Sequence, residues 1–239
     1  MTRGRKAATA EVATHKTSVA CLRRLPAYLQ MLRSLLAEGR EYVSGTVLAG
    51  VHHLEPVIVR KDLAATGAAG TPRLGFRIVD LIDGIEHFLG WDRRTKAVVV
   101  GCGNLGSSLL GYRRFDGLGL EIVGAFDRDA RKVGHMIHDR QVLPITKLEK
   151  LVQSQNVTLG LLAVPAAAAQ ETASYMVQCG IRGIWNFAPV KLKVPEGIIV
   201  QKEDLAEGLA VLAHRLYHSA PAAAKNLNKR PARTDSHAP

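Results

Sequence analysis

Between Leu22 and Leu36 the apolar residues recur at helical spacing. Leu25, Tyr28, Leu29, Leu32, Leu35 and Leu36 fall on one stripe, and Gly39 stops it. Ser44 is placed to cap a short second helix carrying Val47 and Leu48. A third helix is expected to open at Glu55 and Pro56, because proline suits a first turn, and to run through Val57, Ile58, Arg60 and Lys61 to Leu63. The stretch Gly67-Ala68-Ala69-Gly70-Thr71-Pro72-Arg73-Leu74-Gly75-Phe76 is punctuated by glycine and proline and suits a hairpin. Three short helices followed by a hairpin is the plan of a winged helix. Ile78 to Leu89 then reads as one more apolar helix, with Gly90 to Thr95 as a linker.

Beyond the linker the pattern alternates between strand and helix. Ala97-Val98-Val99-Val100 is a short, wholly apolar run, as expected of a strand buried on both faces of a parallel sheet. Glu121 to Phe126, Thr158 to Ala163 and Ile184 to Phe187 are further strand candidates. Helical stretches fall near Gly103–Tyr112, Leu148–Gln153 and Ala166–Cys179. This βαβ alternation predicts an α/β domain with a doubly wound parallel sheet. Asp204 to Leu216 predict a last helix with Leu205, Leu209, Leu212 and Leu216 on an apolar stripe. The expected organisation is therefore a disordered basic segment at 1–17, a winged helix at 18–90, a nucleotide domain at 96–203, a terminal helix at 204–216 and a flexible basic tail at 217–239.

Composition narrows the class. With 47% hydrophobic and 22% charged residues the chain reads as a soluble globular protein. It contains no apolar run of the ~20 residues that a membrane span needs. The basic start is not followed by an apolar signal core, so a cytoplasmic location is expected. The net charge of +11 is uneven: residues 1–77 hold twelve Lys and Arg against five Asp and Glu, which points to a polyanion partner for that half. The three cysteines, Cys21, Cys102 and Cys179, lack disulfide or zinc-site spacing and read as small buried apolar residues. Redox chemistry, if sensed, must be sensed through a ligand.

One motif carries such a ligand. Gly101-Cys102-Gly103-Asn104-Leu105-Gly106 matches G-x-G-x-x-G, directly after an apolar strand and before a helix with Leu109 and Leu110. Gly101 would make the tight turn, Gly103 would let the backbone approach a pyrophosphate, and Gly106 would let the helix pack on the strand. The helix start would offer unpaired N–H groups to the phosphates. Asp127, about twenty residues on, ends the next strand where an acid accepts ribose hydroxyls and favours NAD(H) over its 2′-phosphorylated form. The adjacent Arg128 softens that preference. A hydride-transfer enzyme needs a catalytic acid or base beside the nicotinamide. No tyrosine here is followed four residues later by lysine, and no motif recruits the histidines. A cofactor binder without catalytic machinery is expected.

Together these residues resemble the Rex family of redox-sensing repressors over roughly residues 18–216. The matching pieces run in order: Arg24-Leu25-Pro26-x-Tyr28, Val59-Arg60-Lys61-Asp62-Leu63, the wing glycines Gly67, Gly70 and Gly75, Val100 to Gly106, Ala125-Phe126-Asp127-x-Asp129, Lys132-Val133-Gly134, Ala163-Val164-Pro165-Ala166, Asn186-Phe187-Ala188-Pro189-Val190 and Val194-Pro195-Glu196-Gly197. The resemblance implies a homodimer whose C-terminal helix swaps between subunits. It implies that the dimer sits on palindromic double-stranded operator DNA when NADH is scarce and leaves it when NADH binds. By the same resemblance Arg60 and Lys61 lie on or beside the recognition helix and Arg73 on the wing, with Ser44 and Thr46 added to the DNA-facing set. Val164, Pro165, Asn186, Phe187, Ala188 and Pro189 would line the nicotinamide end. Arg24, Tyr112 and Asp204 match positions of the interdomain and intersubunit switch, although an acid opening a helix also serves as an N-cap.

The chain departs from the family around the wing. Ala64-Ala65-Thr66-Gly67 stands where Ser-Tyr-Phe-Gly is usual, Ala69 replaces a phenylalanine, Thr71-Pro72 replaces Lys-Arg, and Gly75-Phe76 replaces Gly-Tyr. Fewer aromatic residues there predict weaker coupling, and fewer charges a different operator preference. Three rival readings remain open at this point. They are a small NAD-dependent oxidoreductase, a CoA- or adenylate-binding Rossmann module, and a DNA-binding protein with a vestigial nucleotide pocket.

Overall fold

The computed structural model describes residues 17–219, so the expectations for residues 1–16 and 220–239 lie outside the described residues. The chain divides into two compact units. One takes the residues up to Arg94 together with Arg113–Glu121, and the other takes Thr95–Tyr112 and the chain from Ile122 on.

In the first unit the apolar stripe becomes α1 (Val19–Ala37), and Ser18 caps it by accepting the Cys21 N–H at 3.2 Å. Short helices α2 (Gly45–Val51) and α3 (Pro56–Ala65) follow, then α4 (Ile78–Leu89). Ser44 caps α2 as expected, with its hydroxyl accepting the Val47 N–H, and Pro56 opens α3. Leu25, Tyr28, Leu29, Leu32, Leu48, Val59, Leu63, Ile78, Leu81 and Ile85 close over one another as a single core. Full burial of each such aliphatic side chain is worth about 1.5–3 kcal/mol. Leu36, at the edge of the stripe, stays exposed.

The wing is smaller than the sequence pattern implies. Within the stretch expected to be a hairpin, only Thr71 and Gly75 bridge. The strand pair proper is β1 (Tyr42–Val43) with β2 (Phe76–Arg77), antiparallel, with Val43 opposite Phe76. Two residues explain the compression. Pro72 has no N–H to give a ladder. Gly75 adopts φ +92° against the Val43 backbone, where a side chain would collide with the Val43 carbonyl.

The second unit is an α/β sheet domain. Its strands are β3 (Thr95–Val100), β4 (Leu120–Asp127), β5 (Met136–Ile137), β6 (Arg140–Pro144), β7 (Leu159–Leu162), β8 (Gly183–Asn186) and β9 (Ile199–Lys202). Its helices are α5 (Asn104–Leu110), α6 (Leu148–Gln155), α7 (Ala166–Gln178) and α8 (Leu205–Ser219), so the last helix runs three residues past its expected end. The sheet order is β5-β6-β4-β3-β7-β8-β9. The ladders β4–β6, β3–β7, β7–β8 and β8–β9 are parallel, and β5 is an antiparallel edge. Without β5 this is the doubly wound order 3-2-1-4-5-6 of a Rossmann fold. The chain leaves β3 on one side for β4 and returns on the other for β7. A crevice opens at the carboxyl ends of β3 and β7. The run Ala97–Val100 is almost wholly inaccessible, as its lack of polar residues requires.

Candidate functional site

The glycine loop sits at that crevice. Gly101 follows β3 with φ +98°, and its N–H donates to the Phe126 carbonyl at 2.8 Å. A side chain at Gly101 would stand 2.5 Å from the Ala163 carbonyl oxygen, and one at Gly106 would run into the Gly101 carbonyl. Both positions are fixed by packing. Gly103 differs: no atom lies within 4 Å of where its side chain would be, so it faces open space. The cleft beside it, of about 340 Å³, is lined by Gly101, Gly103, Asn104, Leu105, Asp127, Val164, Pro165 and Phe187 among the expected residues.

Asp127 ends β4 at 6% exposure and holds the loop. Its Oδ2 accepts the Cys102 N–H at 2.8 Å and the Lys132 ammonium at 3.0 Å, and its Oδ1 accepts the Asp129 N–H at 2.9 Å. Burial alone would raise its pKa. The two backbone donors and the lysine outweigh burial and hold it below the usual carboxylate range. Cys102 itself points away from the cleft, its thiol 3.5 Å from the Phe126 carbonyl. Burial, then the Asp127 charge, push that thiol up to about 11, so it remains a protonated, inert thiol.

The expected Asn186, Ala188 and Pro189 do not line the cleft. Asn186 is fully buried; its amide donates to the Val190 carbonyl and accepts the Ala188 N–H, both at 2.9 Å. It shapes the loop that carries Phe187, whose ring lies 5.0 Å from that of Trp185. Sequence reasoning missed Lys132 and Thr172 as parts of this site. Thr172, on α7, lines the cleft at 4% exposure, and its hydroxyl has no hydrogen-bond partner among the described residues. An open glycine and an orphaned hydroxyl fit a cleft built to receive a polar ligand along a glycine-rich backbone, as a dinucleotide requires.

In the first unit a groove of about 570 Å³ brings together Ser44, Thr46, Arg60 and Arg73, with Gly70 to Phe76 forming its wing side. Lys61 is exposed on α3 but lies outside that groove. Arg73 is held at φ +68°, an uncommon conformation for a residue with a side chain. Of the three residues expected to form the switch, Arg24 is bound to Asp62, with Nε to Oδ2 at 2.7 Å and Nη2 to Oδ1 at 2.8 Å. Tyr112 is half exposed beyond α5. Asp204 caps α8 by accepting the Ala206 N–H at 3.0 Å and pairs with Lys202 at 2.8 Å. Among the described residues no cluster of three metal-binding side chains is present.

Residues 92–190 match the family model described as a CoA binding domain, and residues 16–64 match that of a putative DNA-binding protein N-terminus. Over 191 residues the chain is 47% identical to the redox-sensing transcriptional repressor Rex of Treponema denticola, covering 80% of this chain and 91% of that protein. The chain belongs to the Rex family. The Rex of Carboxydothermus hydrogenoformans is 42% identical over 201 residues, 84% of this chain and 97% of its own. Among solved structures, the Rex-family repressor RSP in complex with β-NAD⁺ and operator DNA is 30% identical and superposes with a TM-score of 0.79, covering 90% of this chain and 99% of that one. RSP in complex with β-NADH superposes with a TM-score of 0.77 over 85% and 95%. These Rex relatives are repressors, not enzymes, which agrees with the missing tyrosine–lysine pair.

Proposed function

We propose that this chain is a redox-sensing transcriptional repressor that holds operator DNA through its winged-helix unit and NAD(H) in its Rossmann cleft, and that NADH binding releases the operator. One observation carries this reading. A dinucleotide crevice with an open Gly103 and a basic groove joining Arg60 to Arg73 occur in the same chain. The complexes of RSP with β-NADH and with β-NAD⁺ and operator DNA support it. The cofactor supplies the redox signal; the protein supplies recognition and no chemistry.

Within the cleft, Gly101, Cys102, Gly103, Asn104, Leu105 and Gly106 cradle the pyrophosphate by backbone, and Asp127 fixes that backbone through the Cys102 N–H. Val164, Pro165 and Phe187 form the apolar nicotinamide end, with Asn186, Ala188 and Pro189 setting the Phe187 loop. On the other unit Arg60 and Arg73 face DNA with Ser44 and Thr46, and Lys61 meets phosphate from the exposed side of α3. The working form is a homodimer through α8, which leaves Leu209, Val211, Leu212, Leu216 and Tyr217 at 54–65% exposure. So much apolar surface on one helix calls for a partner, and a second copy swapping α8 supplies it. Arg24, Tyr112 and Asp204 are the residues that we assign, from the family resemblance, to the switch between states. A repressor of this kind acts in the cytoplasm, and among the described residues no helix is long and apolar enough to cross a membrane.

The test is displacement. Labelled palindromic operator is titrated with the full chain and followed by fluorescence anisotropy, then NADH or NAD⁺ is added. NADH should release the DNA at concentrations where NAD⁺ leaves it bound. Equal release by both, or by neither, contradicts the reading.

A further inference from the structure

The last helix, α8, carries two faces of different chemistry. At about 100° per residue, Leu209, Leu212 and Leu216 share one side of it. His214 and His218 fall on the opposite side, one turn apart, with Glu207 two turns before His214. A partner seated on the leucine side therefore leaves the histidine side facing away from it.

The two imidazoles stand close together. Their ring centroids are 4.3 Å apart with the planes tilted by 51°, and both residues are exposed. Tyr217 meets the His218 ring edge-on at 5.2 Å and narrows its freedom. An ion that takes two imidazole nitrogens at about 2.0–2.1 Å holds the ring centres about 4.5–5.5 Å apart. A small rotation of either exposed side chain reaches that spacing. Histidines at i and i+4 on one helix face are the pair through which helical zinc sites hold their ion. Here the run is His214-Arg215-Leu216-Tyr217-His218, without the glutamate that serves such sites as general base, so the pair can bind and does not catalyse. Among the described residues no third metal-binding side chain joins it. Water fills the remaining positions of such an ion, which makes it exchangeable.

We propose that His214 and His218 form a two-point site for a divalent transition-metal ion of the class that prefers imidazole, Zn²⁺, Ni²⁺ or Cu²⁺. Mg²⁺ and Ca²⁺, which take oxygen ligands, do not fit it. The bound ion clamps one turn of α8, the helix to which dimerisation is assigned above. It gives the chain a second small ligand, independent of the nucleotide cleft.

The experiment uses the full chain, free of any histidine tag, and calorimetric titration with NiCl₂ and with ZnCl₂, with MgCl₂ as control. The wild type is compared with His214→Ala, His218→Ala and the double variant, which measures whatever the other histidines and the cysteines bind. The wild type should take up about one ion per chain more than the double variant. Each single variant should lose about tenfold or more in affinity at that site, and the double variant little beyond either, because a chelate fails when one arm is removed. Saturating NiCl₂ should also raise the melting temperature of the wild type and leave that of the double variant unmoved. If a single variant binds within about twofold of the wild type, the histidines bind separately and the proposal is overturned. Equal stoichiometry or an equal melting shift in the wild type and the double variant overturns it too, as does equal binding of MgCl₂.

Discussion

Arg24 on α1 and Asp62 on α3 meet in a two-point ion pair, Nε to Oδ2 at 2.7 Å and Nη2 to Oδ1 at 2.8 Å. Tyr28 adds its hydroxyl to Oδ2 at 2.9 Å. Asp62 is 4% exposed and follows Arg60 and Lys61, so this pair fixes the helix that presents them. Asp62→Asn keeps the shape and removes the charge, leaving Arg24 without its counter-ion. It should cost about 2–4 kcal/mol in denaturant unfolding, below the figure for a fully buried pair because Arg24 keeps some solvent contact. A loss under about 0.5 kcal/mol, the range of ordinary surface substitutions, would contradict the assignment.

The same cluster sets a pH dependence. Burial raises the Asp62 pKa, but Arg24, Tyr28 and Cys21 together bring it below 3.8. Its stabilisation is therefore complete above about pH 4 and lost as pH falls through the folded value. His52, edge-on to Tyr28 at 5.0 Å with a buried Nε2 that has no hydrogen-bond partner among the described residues, acts in a higher window. Burial, then the neighbouring His53, lower its pKa from 6.5. Below pH 6.5 the unfolded chain gains a proton that the fold resists, so stability falls as pH drops. His52→Phe keeps a ring against Tyr28 and should flatten the decline in melting temperature between pH 7 and pH 5. An unchanged slope would mean His52 titrates as it does in solvent.

The two glycines of the loop separate folding from binding. Gly103→Ala adds a methyl that meets no protein atom within 4 Å, so the melting temperature should hold while NADH affinity falls about tenfold or more. Gly101→Ala forces φ +98° on a side-chain residue against the Ala163 carbonyl, and should cost about 1–3 kcal/mol of stability as well. Wild-type NADH affinity in Gly103→Ala would place the ligand elsewhere.

Much of this was legible in the sequence, for stated reasons. The helical stripe from Leu25 to Leu35, the Ala97–Val100 run and the G-x-G-x-x-G loop are local patterns whose period or spacing carries the structure. The strands β5, β6 and β9 lie at or next to the edges of the sheet: β5 has only two residues, and in β6 and β9 Arg140-Gln141 and Gln201-Lys202 meet solvent, so no alternation survives. Contacts between distant residues left no local trace. Asp62 was visible in the Arg60-Lys61-Asp62 run, yet its partner stands 38 residues earlier. Lys132 shares a motif with Asp127 by spacing alone, and only the turn between them shows the ammonium folding back onto the carboxylate. The glycine-punctuated stretch suggests a hairpin of its own because Tyr42–Val43, the actual partner of Phe76–Arg77, is too short to show a period.

Operator binding should weaken steeply with salt, because each Lys or Arg on a phosphate releases counterions. Lys61→Ala should weaken all sequences alike and lower the slope of log K against log salt by about 1. Arg60→Ala should cost about 1–3 kcal/mol and relax sequence preference as well, if its fork reaches a base edge from the groove that it shares with Ser44 and Thr46. Anisotropy titrations at several salt concentrations with matched and scrambled operators read both effects. Wild-type affinity and slope in both variants would remove α3 from the DNA interface.

In a redox-sensing repressor the nucleotide site and the operator site are thermodynamically linked. Linkage makes the effect reciprocal, so the factor by which saturating NADH weakens operator binding must equal the factor by which saturating operator weakens NADH binding. With Ala64, Ala65 and Ala69 near the wing in place of larger residues, that factor is expected to be modest, a few-fold to about tenfold within the usual 1–3 kcal/mol range of coupling energies. The deciding measurement is the complete cycle: operator affinity with and without NADH, and NADH affinity with and without operator, at one salt concentration. Two equal factors greater than one are predicted. Two factors of one, with each ligand shown to bind, would contradict the account and leave a protein that binds DNA and NADH without sensing redox state.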